Sequence, residues 1–265
     1  MQDSLKTPEQ ELILYRYYRA IDKSNEEMLQ RLFVNSELKF STVKDFNDPF
    51  ECRAYTFSFE GSPREETKKW IKNVFFNPLN KSLDDDFKNE FADKICKGEI
   101  PPYAEDYLQS IYDRAQNEFL ICCFSKAPDS ILMWSHYATG HKGFCIKCKI
   151  SGEAIEINYP DDDYFPKINP YLVAHGREDI TKKMFLTKSK YWKYEQEYRL
   201  VTPIKEKRYE QQKKDFLQGV IYGWKMEQKD KDQIKAWVNQ GESNPEYFHA
   251  IGHKDKFELD ILPIK

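Results

Sequence analysis

The sequence predicts an α+β fold around a mostly antiparallel β-sheet, read as a split sheet core, and three observations point there. Strand-like segments recur at intervals too irregular for an internal repeat or a strict β-α-β alternation. The run FLICCFS at 119–125 is continuously apolar, as in a strand buried on both faces. From about 63 to 117 the pattern becomes helical and strongly charged, which reads as a helical insertion. No flexible linker interrupts the 265 residues, so a single domain over 1–265 is expected.

Taken in order, LILYRYY at 12–18 is rich in aromatic and branched residues and reads as a strand with Arg16 in its middle. Ser24 and Asn25 then offer a cap for EEMLQRLFV, whose Met28, Leu29, Leu32 and Phe33 fall at helical spacing. ELKFST is a short strand ending at Ser41 and Thr42. The insertion is broken at Asn77-Pro78, Gly98 and Pro101-Pro102. After FLICCFS, Asp129 or Ser130 caps a short helix through ILMWSHYA, ended by Gly140. GFCIKCKI and EAIEINY read as paired strands. A helix near 170–186, strands at YEQEYRLVTPI and LQGVIYGW, a helix at 227–239 and strand material through FELDILPI complete the chain. The Asp161-Asp162-Asp163 run and the Lys-rich stretch from Lys205 to Lys214 read as solvated surface.

Composition narrows the function classes. The 41 basic and 44 acidic residues nearly cancel and are interspersed, which gives no whole-protein attraction to nucleic acid or to an anionic membrane. No apolar run approaches the roughly 18 to 20 residues that span a bilayer, and MQDSLKTPEQE has no signal-peptide core, so no membrane association and a cytoplasmic location are expected. Six cysteines in such a chain read as small buried hydrophobes. With 17 Tyr, 18 Phe and 5 Trp, the core and the walls of any pocket should be aromatic.

Three motifs carry candidate chemistry. In FNDPFE, turn-forming Asn47 and Asp48 are stiffened by Pro49 and flanked by Phe46 and Phe50, which would anchor the loop in the core; Asn47, Asp48 and Glu51 then lie beside a pocket or simply form an Asx turn. In MWSHYA, Met133, Trp134 and Tyr137 share a helical neighbourhood, and His136 is either a satisfied core residue or a proton-transfer group. In YEQEYR, Glu195, Glu197 and Arg199 alternate along an expected strand and would point the same way, either to bind a ribose and stabilise a developing positive charge or as an exposed ladder on an edge strand. His141 reads as a turn residue. Cys145 and Cys148 would lie on opposite strand faces without a second pair, so no metal is expected. Phosphate-loop, dinucleotide and nucleophile-elbow signatures are not in the sequence.

Together LYRYY, LKFSTVKDFNDPFE, LICCFS, ILMWSHYA, HKGFCI, YWKYEQEYRLV and GVIYGWK resemble, over nearly the whole chain, a widespread bacterial domain family without an established activity. A more distant resemblance is to ADP-ribosyltransferases, which unite an Arg or His on the first strand, a Ser/Thr or Tyr motif on another and a Glu-x-Glu or Gln-x-Glu pair. By that resemblance Arg16 would hold the phosphates of NAD, Ser41, with Thr42 beside it, would support the first-strand residue, Glu197 would bond the nicotinamide ribose, and Glu195 would orient the acceptor. It gives His136, Asn47 and Asp48 no role. The expectation is thus an NAD-using, ADP-ribosyltransferase-like enzyme, a toxin or anti-phage defence effector, acting on a nucleic acid or protein acceptor or hydrolysing NAD. The alternatives are a nuclease-type toxin with His136 as acid or base near Glu51 and Arg199, and a non-catalytic sensor or interaction module.

Overall fold

A computed structural model describes residues 11–52, 56–76, 83–150, 154–162, 164–204 and 208–264. Asp163 and the segment 205–207, both read above as solvated surface, lie outside the described residues.

An eight-stranded sheet organises the chain. Strand β1 (Leu12–Tyr18) lies near its middle, flanked by β4 (Phe119–Ser125) and β5 (Phe144–Ile150). Beyond β4 come β8 (Glu197–Pro203) and the short β6 (Ile155–Glu156). Beyond β5 come β10 (Leu217–Tyr222), β11 (Glu246–Gly252) and β12 (Leu259–Pro263). Every pairing in this sheet is antiparallel except that of β10 with β11, whose connection carries helix α8 (Gln228–Gln240). The α+β class and the mostly antiparallel sheet are as expected; the parallel β11 was not anticipated. Two small sheets, β2 (Glu37–Lys39) with β9 (Tyr209–Gln211) and β3 (Thr56–Phe57) with β7 (Lys167–Ile168), sit beside the main one.

The seam between β1 and β4 is nearly unpaired. Although β1 pairs with β5 along its whole length, it meets β4 only at Tyr15 and Ser125. Where the strands separate, Ser41 enters and exchanges two backbone hydrogen bonds with Ile121, at 2.9 and 2.8 Å. The sheet is therefore split at its centre, and the split places a pocket.

The two faces are covered differently. On one, Leu14, Phe144, Ile146, Cys148 and Val220 pack under α1 (Glu26–Asn35) and α8 in a continuous core. Alternation along each strand sends the intervening residues to the other face, which carries two separate clusters. In one, α2 (Arg64–Phe76), α3 (Asp85–Cys96) and α4 (Pro102–Gln116) bury Ile71, Phe91, Ile95 and Leu108 with Ile121 of β4. In the other, Trp134 of α5 (Ile131–Tyr137) packs on Cys145, Ile221 and Ala250. The helices of the expected insertion thus share a core with the sheet.

Three local readings are corrected. The residues from EAIEINY that form β6 pair with β8 and not with β5, because β5 already has β1 and β10 on its two edges. The helix read over 170–186 is two helices, α6 (Pro170–Ala174) and α7 (Ile180–Phe185), divided where Gly176 takes a left-handed φ of 65°. The strand read from 194 begins only at Glu197: Lys190–Glu195 is a 3-10 turn closed by Gln196 at a left-handed φ of 45°.

Candidate functional site

Between the two clusters of the second face opens a cavity of about 410 Å³. Tyr15 and Tyr17 of β1, Cys123 and Ser125 of β4, and Met133, His136 and Tyr137 of α5 form its walls. The split admits Arg16 and Ser41 from the seam, and Asn47, Glu51, Lys188, Glu195 and Glu197 complete the lining. Nine of the eleven candidate site residues therefore contact one another or share this cavity.

Its floor is a buried charge cluster. Arg199, 0% exposed, donates from Nε to Glu197 Oε1 at 2.6 Å and from Nη2 to Glu197 Oε2 at 3.0 Å. Nη2 also meets Glu51, and Nη1 donates to the Phe185 carbonyl at 2.8 Å. The Phe46 ring covers the guanidinium at 5.3 Å. Lys188, also buried, donates to Glu195 Oε2 at 2.5 Å and to Glu197 Oε2 at 3.0 Å, and lies 3.4 Å from Glu51 Oε1. Three carboxylates thus face two cations, a formal excess of one negative charge in a buried place.

Local backbone explains how the carboxylates converge. Glu195 closes the 3-10 turn while Glu197 opens the strand; the left-handed Gln196 between them brings both side chains onto Lys188, which an extended strand was expected to do by alternation. Ser125 fixes that turn, donating from Oγ to the Glu195 carbonyl at 2.6 Å, while the Tyr159 hydroxyl accepts from the Glu197 amide at 3.0 Å.

Electrostatics follow from burial. Burial pushes the Glu197 carboxyl up to about 7; Lys188 opposes the shift and Glu195 adds to it. Burial works against the Lys188 ammonium, yet the Glu197 and Glu195 carboxylates outweigh it and hold its pKa above the ordinary value. Burial lowers Arg199 to about 9, which leaves it charged at neutral pH. The Tyr137 phenol donates to Glu195 Oε1 at 2.6 Å and hydrogen-bonds Asn47; burial and then the Glu195 charge push its pKa up, so it stays a donor.

The remaining candidates divide. His136 is exposed at the cavity rim, not a core histidine, with Nδ1 3.3 Å from the Tyr194 hydroxyl. Arg16 lies on the opposite face of β1 from Tyr15 and Tyr17 and reaches the cavity only through the split, where it donates to the Lys39 carbonyl at 3.0 Å and meets Cys122 Sγ. Arg199, expected to bind substrate, is instead sealed beneath the carboxylates. Thr42 forms a capping box with Asp45 and lines neither this cavity nor its neighbour. Asp48 accepts from the Phe50 amide at 2.9 Å, the Asx turn read from the sequence, and faces the neighbouring cavity. Phe50, expected in the core, is exposed there. Cys145 and Cys148 are both buried in different clusters, on opposite faces.

Comparison with protein-family models, curated proteins and solved structures returned no match. The site's own chemistry is what remains. Lys188 and Tyr159 were missed in the sequence: Lys188 stands in LTKSKYWK among other lysines, and only the Tyr and Trp beside it hint at burial. No group of three or more His, Cys, Asp or Glu side chains arranged to hold a metal ion is found among the described residues, and no helix there is long and apolar enough to cross a membrane.

Proposed function

We propose that this chain is an NAD-using enzyme of ADP-ribosyltransferase type, which breaks the bond between nicotinamide and its ribose. The reading rests on one observation: Glu197, oriented by Lys188 and Arg199, lines a cavity whose open seam carries Arg16 and Ser41. When the C–N bond breaks, its electron pair leaves with the pyridinium ring as neutral nicotinamide, and the positive charge left at the ribose carbon needs a fixed anion beside it. A carboxylate held in a largely desolvated wall meets that need without reorganising. Water or an acceptor group then bonds to the same carbon and gives up its proton; Glu195, steadied by Tyr137, stands where it can orient that nucleophile. Resemblance adds a macromolecular acceptor and a role in toxicity or phage defence to the proposal.

The test is nicotinamide release from NAD by purified wild type and by Glu197→Gln and Tyr137→Phe, with melting curves to establish folding. Release by wild type and its loss in folded Glu197→Gln support the reading. No release, and no thermal stabilisation by NAD in folded wild type, overturns it. The exposed His136 at the rim supports a second reading, phosphodiester cleavage with the imidazole as acid or base. His136→Ala separates the two: it should abolish nuclease activity, whereas the NAD reaction should survive it.

A further inference from the structure

A larger cavity, of about 560 Å³, lies against the other side of the Glu51 and Lys188 wall. We propose that it binds an organic cation, an ammonium group on an apolar body. This site does not depend on the NAD reading, and the observations below carry it separately.

Aromatic rings crowd its mouth. Phe50, Tyr164, Phe165 and Tyr191 are 64%, 83%, 44% and 72% exposed, an arrangement that leaves large apolar faces in water unless something covers them. Phe50 and Phe165 pair with centroids 6.2 Å apart, and Trp192 extends the lining inward. Such walls favour a ligand that presents either a flat ring or a cation to the ring faces.

Charge decides between these. The exposed Asp162 and the half-buried Asp48 place carboxylates in the lining, and Glu51 lies behind them. Among the described residues the cation in the lining is Lys188, which is already shared among three carboxylates. Phosphates would meet the Asp48, Glu51 and Asp162 carboxylates, which disfavours a nucleotide. A cation would gain both the ring faces and the carboxylates. The chain itself shows the rings accepting such groups: Lys188 Nζ lies 5.1 Å over Trp192 and Lys190 Nζ 5.8 Å over Tyr191.

The ligand's ammonium can be carried by a small molecule or by a lysine side chain of a protein. The experiment therefore titrates full-length protein by calorimetry with choline, with its neutral carbon analogue 3,3-dimethylbutanol, and with a short peptide bearing trimethyllysine. Expected is binding of choline, of the peptide, or of both, with no detectable binding of the neutral alcohol; which cation binds tells the source. Tyr191→Ala and Asp162→Asn, both at exposed positions, should each weaken that binding about fivefold to tenfold with unchanged melting temperature. Equal binding of the alcohol, binding of neither cation, affinity unchanged in both variants, or binding of a mononucleotide at this cavity in place of choline overturns the proposal.

Discussion

Replacing Lys188 by methionine keeps most of the side chain's volume and removes its charge. In the wild type the ammonium serves Glu195, Glu197 and Glu51 at 2.5, 3.0 and 3.4 Å. Without it, Arg199 is the cation left to the three buried carboxylates among the described residues, and the formal excess there grows from one negative charge to two. Removing one partner of a buried ion pair costs about 3–5 kcal/mol, because the remaining charge is left uncompensated. For a chain of this size each kcal/mol moves the melting temperature by roughly 2–4 °C, so a drop of about 6–20 °C is expected at pH 8. The pH dependence gives a sharper check. In the variant the Glu197 carboxyl, already raised by burial, loses the ammonium that opposed the rise and titrates higher still when folded than when unfolded. A group with a raised folded pKa contributes stability that is present below its unfolded pKa and lost as pH rises through the folded one. The deficit of Lys188→Met should therefore shrink between pH 8 and pH 5. Thermal melts followed by circular dichroism at both pH values measure it. A variant that melts within about 1 °C of wild type at pH 8, or whose deficit widens toward pH 5, would refute the account of the cluster.

Further outcomes follow from the same geometry. Because burial, opposed by Lys188 and helped by Glu195, raises Glu197 from 4.5 to about 7, its own contribution to stability is present below about 4.5 and fades as pH rises through 7; if its ionised form stabilises the ribose cation, nicotinamide release should instead climb through that same pH, as a rate profile will tell. Glu197→Gln should abolish release with little loss of stability in urea titration at pH 8, since the raised pKa means that the folded cluster already favours the neutral group, and the variant leaves two carboxylates facing two cations. Tyr137→Phe removes the 2.6 Å bond to Glu195 and should cost about 1–2 kcal/mol in the same titration, with a slower turnover if Glu195 orients the acceptor. Gln196→Gly, at an exposed left-handed position, should raise stability by up to about 1 kcal/mol; a loss instead would mean that the glutamine side chain is needed.

How much of this was legible in the sequence depended on the range of the interactions. Strands at 12–18 and 119–125 announced themselves because apolar and aromatic runs there exceed what any helix face requires, and their observed limits are the same. The grouping of FNDPFE, MWSHYA and YEQEYR was readable as a list of chemically able residues. Their meeting was not, since Tyr137 and Glu195 are joined across 58 residues and Arg199 and Glu51 across 148. Lys188 was hidden for the opposite reason: a lysine among lysines looks solvated until three carboxylates from elsewhere enclose it. Gln196 has a side chain that gives no sign of a left-handed backbone, so the turn that gathers Glu195 and Glu197 passed for plain strand. In EYFHAIG, which became β11, mixed polar and apolar residues hide a strand whose parallel partner is reached only through α8.

Strand β1, near the middle of the sheet, precedes the other strands of the described residues in the chain. On the ribosome β1 emerges before its neighbours: β4 and β5 follow a hundred or more residues later, and β8, which brings Glu197, later still. At 5–20 residues per second, the interval between synthesis of Arg16 and of Arg199 is roughly 10 to 40 s. Until β4 and β5 follow, Leu14, Tyr15, Tyr17 and Tyr18 have no flanking strand to join. A translation product that stops short of Glu197 therefore cannot assemble both the Arg16 side and the Glu197 side of the cavity.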